Sequence, residues 1–485
     1  MMRKPCLIEI LKTNIFGIDV NETACRIAAF SLYLALLDQL SPRDIRNLQA
    51  RGKALPKLVL ADGEQADDPQ SRTIFQKSFF SREIPLPLGG FDLIVGNPPW
   101  AKENSDDPRM SAWCKEEKLP IAQKQVAYGF AWKAPYHLRE GGRVCFLLPA
   151  ALILNHQKKS LQFQEKFFQS HQVAQIVNLG DMSFYLFDKA DRPAIIMRYR
   201  GGEADSKSRI EYLTPKTTYE TLQAEILAFH PEDRSSISLS ELLGDLTHHH
   251  APLAWKKHLW GTPRDRKFLD RLECFPSLGV RTEDGSAWGW VFGEGFNTGG
   301  DGPPVDRPIL HQLPFLPTDA VAEYVISESS LQPKPPVYNP RRLGKEEIFR
   351  SPHVLLKHGV SRKGHRLRVG FSGFDCSFEH SVRGIHAPSH YEDMLRLLTC
   401  ALSSRLALYF FFHTAANWGT ERAKIHVDEY NRFPIPEPDT PERRSILAEV
   451  ASLHREMEAD VDEFPLFSGS RLEDRISRID QLVCT

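Results

Sequence analysis

Apolar positions in the first 200 residues follow two rhythms. Short runs rich in β-branched residues alternate with longer stretches whose apolar residues recur every three to four positions, the marks of strands and of amphipathic helices. The runs "IFGIDV" (15–20), "KLVLAD" (57–62), "FDLIVGN" (91–97), "RVCFLLP" (143–149), "VAQIVNLG" (173–180) and "AIIMRYR" (194–200) read as strands. Between them, residues 22–40 read as a largely buried helix capped by Asn21, residues 123–139 as a helix ended by Gly141-Gly142, and residues 157–170 as another. This alternation predicts an α/β sheet with helices on both faces. Ligands of such sheets sit beyond the carboxyl ends of the strands, where this chain places Asp19, Asp62, Asn97 and Pro149.

Past residue 200 the rhythm breaks. "GGEADSKSR" reads as a polar linker and 206–260 as an irregular connection with one or two helices. Short strands, turns and prolines fill 261–436, a mixed α+β pattern, and an acidic helical tail occupies 437–485. The expected units are therefore 1–205, 206–260, 261–436 and 437–485. The 485 residues suffice for two or three domains with real cores. With 61 basic against 62 acidic residues, no global charge points to nucleic acid or membrane. No apolar run is long enough for a membrane span, and no signal-peptide pattern opens the chain. The eight cysteines are scattered without a CxxC pair, which fits a reducing cytoplasm and argues against a zinc ribbon; no metal site is expected.

Chemistry concentrates at "NPPW". Two prolines in series fix the backbone and force Asn97 to be extended. Neither Pro98 nor Pro99 offers an N–H, so the corner is rich in acceptors, the Asn97 side-chain oxygen and the Pro98 carbonyl above all. Two convergent acceptors suit an NH₂ group with two hydrogens to donate, and Trp100 supplies a flat face for a planar ring. Adenine N6 and cytosine N4 fit that description. Accepting both hydrogens frees the nitrogen lone pair for attack on a methyl group, and the oxygens stabilise the positive charge that develops. By itself Asn-Pro-Pro is a common turn; its place after strands ending in Asp62 and Asp19 favours the functional reading.

"GNPPW", preceded by "FGIDVNETACRIAAFSLYLAL" and followed by "GGRVCFLLP", resembles the amino-methylating DNA methyltransferases, most closely the adenine-N6 group of restriction-modification and phage-defence systems. "VNLGDMSFYLFDKADRPAIIMRY", "AWKKHLWGTPRDRKFLDRL", "PHVLLKHG", "LTCALSSRLALYFFFHT" and "RFPIPEP" are also similar to that family, the last three to its target-recognition region. The resemblance implies a Rossmann-like class I methyltransferase sheet, S-adenosylmethionine as cofactor, and double-stranded DNA as partner. It implies that Asp19 binds the ribose hydroxyls with Val20 near the adenine ring, that Asp62 and Gly63 contact the cofactor's adenine amine, that Asn97 and Pro98 bind the target amine, and that Trp100 stacks on an extruded base.

One part of the pattern is absent. The family's glycine-rich loop, on the first strand, should precede Asp19, and only eighteen residues lie before it. That strand is central in the fold, so its loss predicts a gap with unpaired edges. A fragment, a chain paired with one supplying the missing half, and a decayed enzyme all fit. In the second half, residues 338–370 hold nine Lys or Arg against two Glu. Arg341, Arg342, Lys357, Arg362, Lys363 and Arg366 are the expected phosphate contacts, which position a duplex and make binding fall with salt. Asn417, Trp418, Thr420 and Arg422 either touch DNA or pack the domain. "DDPRMSAWCKEEK" mimics a metal-nuclease pattern but reads as a loop, and His248–His250 as a polar turn; a nuclease, if present, is expected on a partner. The rival readings are an amine methyltransferase acting on RNA or protein glutamine, and a catalytically incomplete DNA-binding subunit.

Overall fold

Three sheets organise the residues described by this computed structural model, namely 4–50, 55–62, 64, 72–82, 84, 89–187, 192–247, 253–298, 307–333, 343–360, 366–420, 424–463 and 469–484. The first sheet holds β1 (Gly17–Asp19), β2 (Val59–Leu60) and β3 (Ile74–Gln76), all parallel, with β3 in the middle. The second holds β4 (Phe91–Gly96), β5 (Leu138–Pro149), β6 (His171–Asn178), β7 (Ala194–Gly201), β8 (Arg209–Leu213) and β9 (Arg234–Ser238) in the spatial order β4-β5-β7-β6-β8-β9. β4 and β5 are parallel, and β7 runs antiparallel between β5 and β6. The α/β class expected from the alternation is the class observed.

The helix Glu22–Asp38 starts as its sequence dictates. The Asn21 side chain accepts from Ala24 N at 3.1 Å, and Cys25, Ala29 and Leu36 pack beside Leu58 and Ile74. On the second sheet, the helices Val126–Lys133 and Lys158–Ser170 bury an aromatic cluster. Trp132 lies 5.3 Å from Phe163 and 5.2 Å from Phe167, and Tyr199 donates to Ala131 O at 2.8 Å.

Several expectations are corrected. The helix read over 123–139 spans only Val126–Lys133, followed by a single turn, and Gly141-Gly142 lie inside β5. Gly141 has φ +77°, and a Cβ on Gly142 would come within 2.5 Å of the Phe91 carbonyl. These glycines build an irregularity where β5 shifts register against β4, not a helix stop. Residues Arg109–Glu116, read as loop, form a helix. The stretch 206–260 is no irregular connection: β8 and β9 extend the second sheet, and helices Leu239–Thr247 and Leu253–Trp260 follow.

The third sheet, β10 (Val291–Glu294), β11 (Tyr324–Val325), β12 (His353–Lys357), β13 (Val369–Ser372) and β14 (Val382–His386), has the order β10-β14-β12-β13-β11. Helices Glu392–Ser403 and Arg405–Thr414 pack with it. The acidic tail is docked: Arg396 donates to Glu458 at 2.7 Å, and Met457 and Ile479 are buried beside Tyr324. Among the described residues no single helix is long and apolar enough to cross a membrane.

Among the described residues β1 pairs only with β3 and β4 only with β5, and residues of both strands line one cavity. The Phe16 and Phe91 rings bridge its base, with centroids 5.5 Å apart. Leu93 and Val95 on β4, and Ile27, Phe30 and Leu34 along one stripe of the helix Glu22–Asp38, are all at least half exposed.

Candidate active site

β4 ends by close contact. A Cβ on Gly96 would meet the Phe146 ring at 3.3 Å, so the glycine lets the chain lie flat on β5 before the prolines turn it. Beyond the turn the chain is tied back at several points: Val126 N donates to Ala101 O at 3.0 Å, Glu103 N to Lys124 O at 2.8 Å, and Arg192 Nη1 to Trp100 O at 3.4 Å. Pro98 is buried and Asn97 exposed. Neither the Asn97 carboxamide nor the Pro98 carbonyl is engaged by a hydrogen bond among the described residues. Trp100 is half-buried, edge-on to Phe187 at 5.7 Å.

This elbow separates two cavities. The first, about 580 Å³, takes walls from Phe16–Val20, Lys77–Phe80, Phe91 and the run from Leu93 through Pro99. Asp19 opens onto it. Its Oδ1 accepts from Asn21 N at 2.7 Å, and its Oδ2 has no partner among the described residues. The phenylalanine wall is pinned by Lys133, whose ammonium donates to Phe79 O at 2.7 Å and lies over the Phe79 and Phe80 rings. His137 closes the base; burial, then the nearby Lys133 charge, pushes its pKa down to about 4, so its imidazole is neutral. Arg109 also lines this cavity, but its guanidinium is paired with Asp107 at 2.6 Å, which holds the Asp107 carboxyl below its ordinary range. The second cavity, about 690 Å³, begins at Trp100 and runs past Pro149 and Asn155–Lys158 to Ala416, Asn417 and His426, which follow the helix Arg405–Thr414.

The structure thus brings Asp19, Val20, Asn97, Pro98 and Pro99 around one cavity and puts Trp100 on the other side of the elbow. Asp62 lies at the end of β2, exposed, its N–H 3.4 Å from Gln76 Oε1; it does not line either cavity. Gly63 falls outside the described residues, as do Arg341, Arg342, Arg362, Lys363, Arg422 and the triple histidine. Two of the expected phosphate contacts are corrected. Arg366 is bidentate to Asp480, at 3.1 and 2.6 Å, and donates to Ser403 O, so it fastens the C-terminal helix. Lys357 is paired with Asp319 at 2.6 Å. His156, Arg192 and His426 were not singled out in the sequence; they sit far apart along the chain, and only the fold gathers them.

An S-adenosylmethionine molecule fits the first cavity at one end. Asp19 offers a carboxylate oxygen for ribose hydroxyls and the phenylalanines an apolar bed for a ring. Of the cations that line this cavity, Arg109 is taken by Asp107.

Residues 13–185 match the family model described as Eco57I restriction-modification methylase. No curated protein matches the chain. Among solved structures, the type IIL restriction-modification enzyme MmeI in complex with DNA is similar over 81% of this chain and 54% of its own, at 11% identity and a TM-score of 0.44. A nuclease-deletion mutant of the type ISP enzyme LlaGI, with a DNA substrate mimic, is similar over 94% and 54%, at 10% identity and 0.40. The type IIG restriction endonuclease BpuSI is similar over 85% and 56%, at 12% identity and 0.35. The chain spans about half the length of these structures. The matched residues 13–185 carry Asp19, the helix after it and the Asn97–Trp100 elbow.

Proposed function

We propose that this chain is the methylating part of a restriction-modification or phage-defence system in the cytoplasm, transferring a methyl group from S-adenosylmethionine to adenine N6 at a specific site in double-stranded DNA. One observation carries the reading: the Asn97–Trp100 elbow stands between two cavities, with the Asp19 carboxylate lining one and Trp100 lining the other. Bound in the first, S-adenosylmethionine supplies an activated methyl group. Asp19 holds its ribose and Val20 flanks its adenine. An adenine extruded from the duplex lies on Trp100. Stacking on an aromatic returns about 1–3 kcal/mol, a large share of the few kcal/mol that extrusion costs. The Asn97 oxygen and the Pro98 carbonyl take the two amine hydrogens, which frees the nitrogen lone pair toward the first cavity and stabilises the charge that grows on it.

The decisive experiment measures incorporation of labelled methyl groups into unmethylated DNA. The expected result is label at adenine N6, lost in Asn97→Ala with duplex affinity retained. Label on cytosine, on RNA or on protein, or full activity in the variant, overturns the reading.

The open edges of β1 and β4 favour a companion proposal, that a further strand and its helix, from a partner chain or a longer form of this one, insert between them. Such a unit covers Leu93, Val95 and the exposed stripe of the helix Glu22–Asp38, each buried side chain contributing about 1.5–3 kcal/mol. Its backbone amides would meet the amino-acid end of the cofactor. Calorimetry with cofactor tests it: weak binding by the chain alone and tight binding in the assembled system are expected, and tight binding by the chain alone removes the need for the insert.

A further inference from the structure

The second cavity takes walls from two stretches of the chain, and the way the two meet is specific. On one side lies the segment Asn155–Lys158 at the start of the helix Lys158–Ser170. On the other lie Ala416, Asn417 and Thr420, with His426 and Asp428. The His156 and His426 rings meet edge to face at 4.7 Å, and Asn417 Nδ2 lies 3.0 Å from His426 Nε2. Glu429, fully buried, accepts from Ala416 N at 2.7 Å and from His426 N at 2.6 Å, which fixes the loop on both flanks.

Two polar atoms on this cavity are buried with no hydrogen-bond partner: Trp100 Nε1 and His156 Nδ1. The nearest carboxylate oxygen to His156 Nδ1, on Glu429, is 3.9 Å away, too far for a hydrogen bond. Burial lowers the pKa of both histidines, so near neutral pH both rings are uncharged donors and acceptors. The lining therefore offers imidazoles and carboxamides in its depth. Lys102, Lys158 and Arg192 also line it, with no ion-pair partner among the described residues. Neutral hydrogen-bonding groups beside an indole suit an uncharged heteroaromatic edge, and cations beside them suit the phosphates that carry it. A carbohydrate lacks the flat face, and a free anion would seek the cations rather than the neutral interior.

We infer that the segment from Ala416 to Asp428 forms part of the wall of the nucleobase pocket, where His426 meets His156, and that Asn417 and His426 hydrogen-bond the edge of the base that stacks on Trp100. This rests on the reading of Trp100 as the stacking platform and goes beyond it: that segment contacts the extruded nucleotide itself, so occupancy of the pocket fastens its two walls together. His156, Asn417 and His426 are positioning residues in this scheme, not groups that touch the transferred methyl.

The test needs no knowledge of the recognition sequence. A duplex with a single unpaired 2-aminopurine presents a pre-extruded base, and the fully paired duplex of the same sequence is the reference. Wild-type protein should bind the bulged duplex more tightly and quench its fluorescence. Asn417→Ala and the milder His426→Gln should each weaken that preference about five- to tenfold, as loss of one hydrogen bond does, with binding to the paired duplex within twofold and unchanged melting temperature. If both variants keep the full preference while Trp100→Ala loses it, the inference fails and the proposed function stands. If wild-type protein shows no preference, or Trp100→Ala retains it, the pocket reading itself fails and takes the inference with it. A variant that melts early is replaced by His156→Gln, on the opposite wall, judged by the same ratio.

Discussion

The cavity beside β1 and the cavity beside Trp100 share the elbow as a common wall, yet they are built from opposite materials. Phenylalanines held by Lys133 line the first, with the Asp19 carboxylate at its strand end. Carboxamides, imidazoles, the cations of Lys102, Lys158 and Arg192 and the carboxylates of Glu294 and Asp428 line the second. The first is lined by residues before 147 and lies along two strand edges; the second also takes residues from 294 to 428. On the proposed function this asymmetry has a use. An invariant donor is well served by an apolar bed and one anchoring charge, whereas a nucleotide lifted from a polyanion needs hydrogen bonds for its edge and cations for its backbone.

The most severe way to break this comparison is at the shared wall. Asn97→Ala should lower methyl transfer about 10²–10³-fold, the usual effect of removing one preorganised polar contact, with duplex affinity unchanged in a salt-matched binding assay. Equal losses in transfer and duplex binding would make the residue structural. On the polar side alone, Trp100→Ala should reduce affinity for a bulged duplex by about 10–100-fold, the worth of one stacked base, while cofactor binding by calorimetry stays level. On the apolar side alone, Asp19→Ala should weaken cofactor binding about tenfold or more, as loss of a charged acceptor does, and leave DNA binding untouched. Crossed effects between these two variants would merge what is described as two sites.

The smallest effect concerns how the second wall is fastened. Lys256, on the helix Leu253–Trp260, is fully buried and its ammonium donates to Trp418 O. Burial lowers its pKa from 10.5 to about 7, against the pull of Glu429. The folded state releases this proton more readily than the unfolded one. The cost of burying the charge is therefore present in full below about pH 7 and relieved as pH rises toward lysine's ordinary value. Stability from urea melts should climb between about pH 7 and 10, and Lys256→Met should flatten that climb. An identical slope in the variant would assign the pH dependence to other groups.

Much of the first cavity was legible in the sequence, because its parts are local. Asp19, Asn21 and the following helix are consecutive, and the proline pair fixes the elbow without help from elsewhere. The second cavity was not legible. His156 and His426 have no sequence signal in common, and Asn417 alone was ambiguous between packing and contact. Charge counting misled in a related way: Arg366 and Lys357 added to a basic stretch, but one is consumed by Asp480 and the other by Asp319. A local tally of charge cannot see a partner supplied from another part of the chain. Gly141-Gly142 carried the right information under the wrong label, since a helix stop and a strand irregularity both need a residue at positive φ.

The strand that carries the elbow has β5 on one flank and, among the described residues, no strand on the other. A lever held along a single side keeps its tip less steady than one gripped along both, and methyl transfer tolerates little wobble at that tip. On the companion proposal, a strand that grips the free flank steadies this tip, so assembly should raise the rate of methyl transfer.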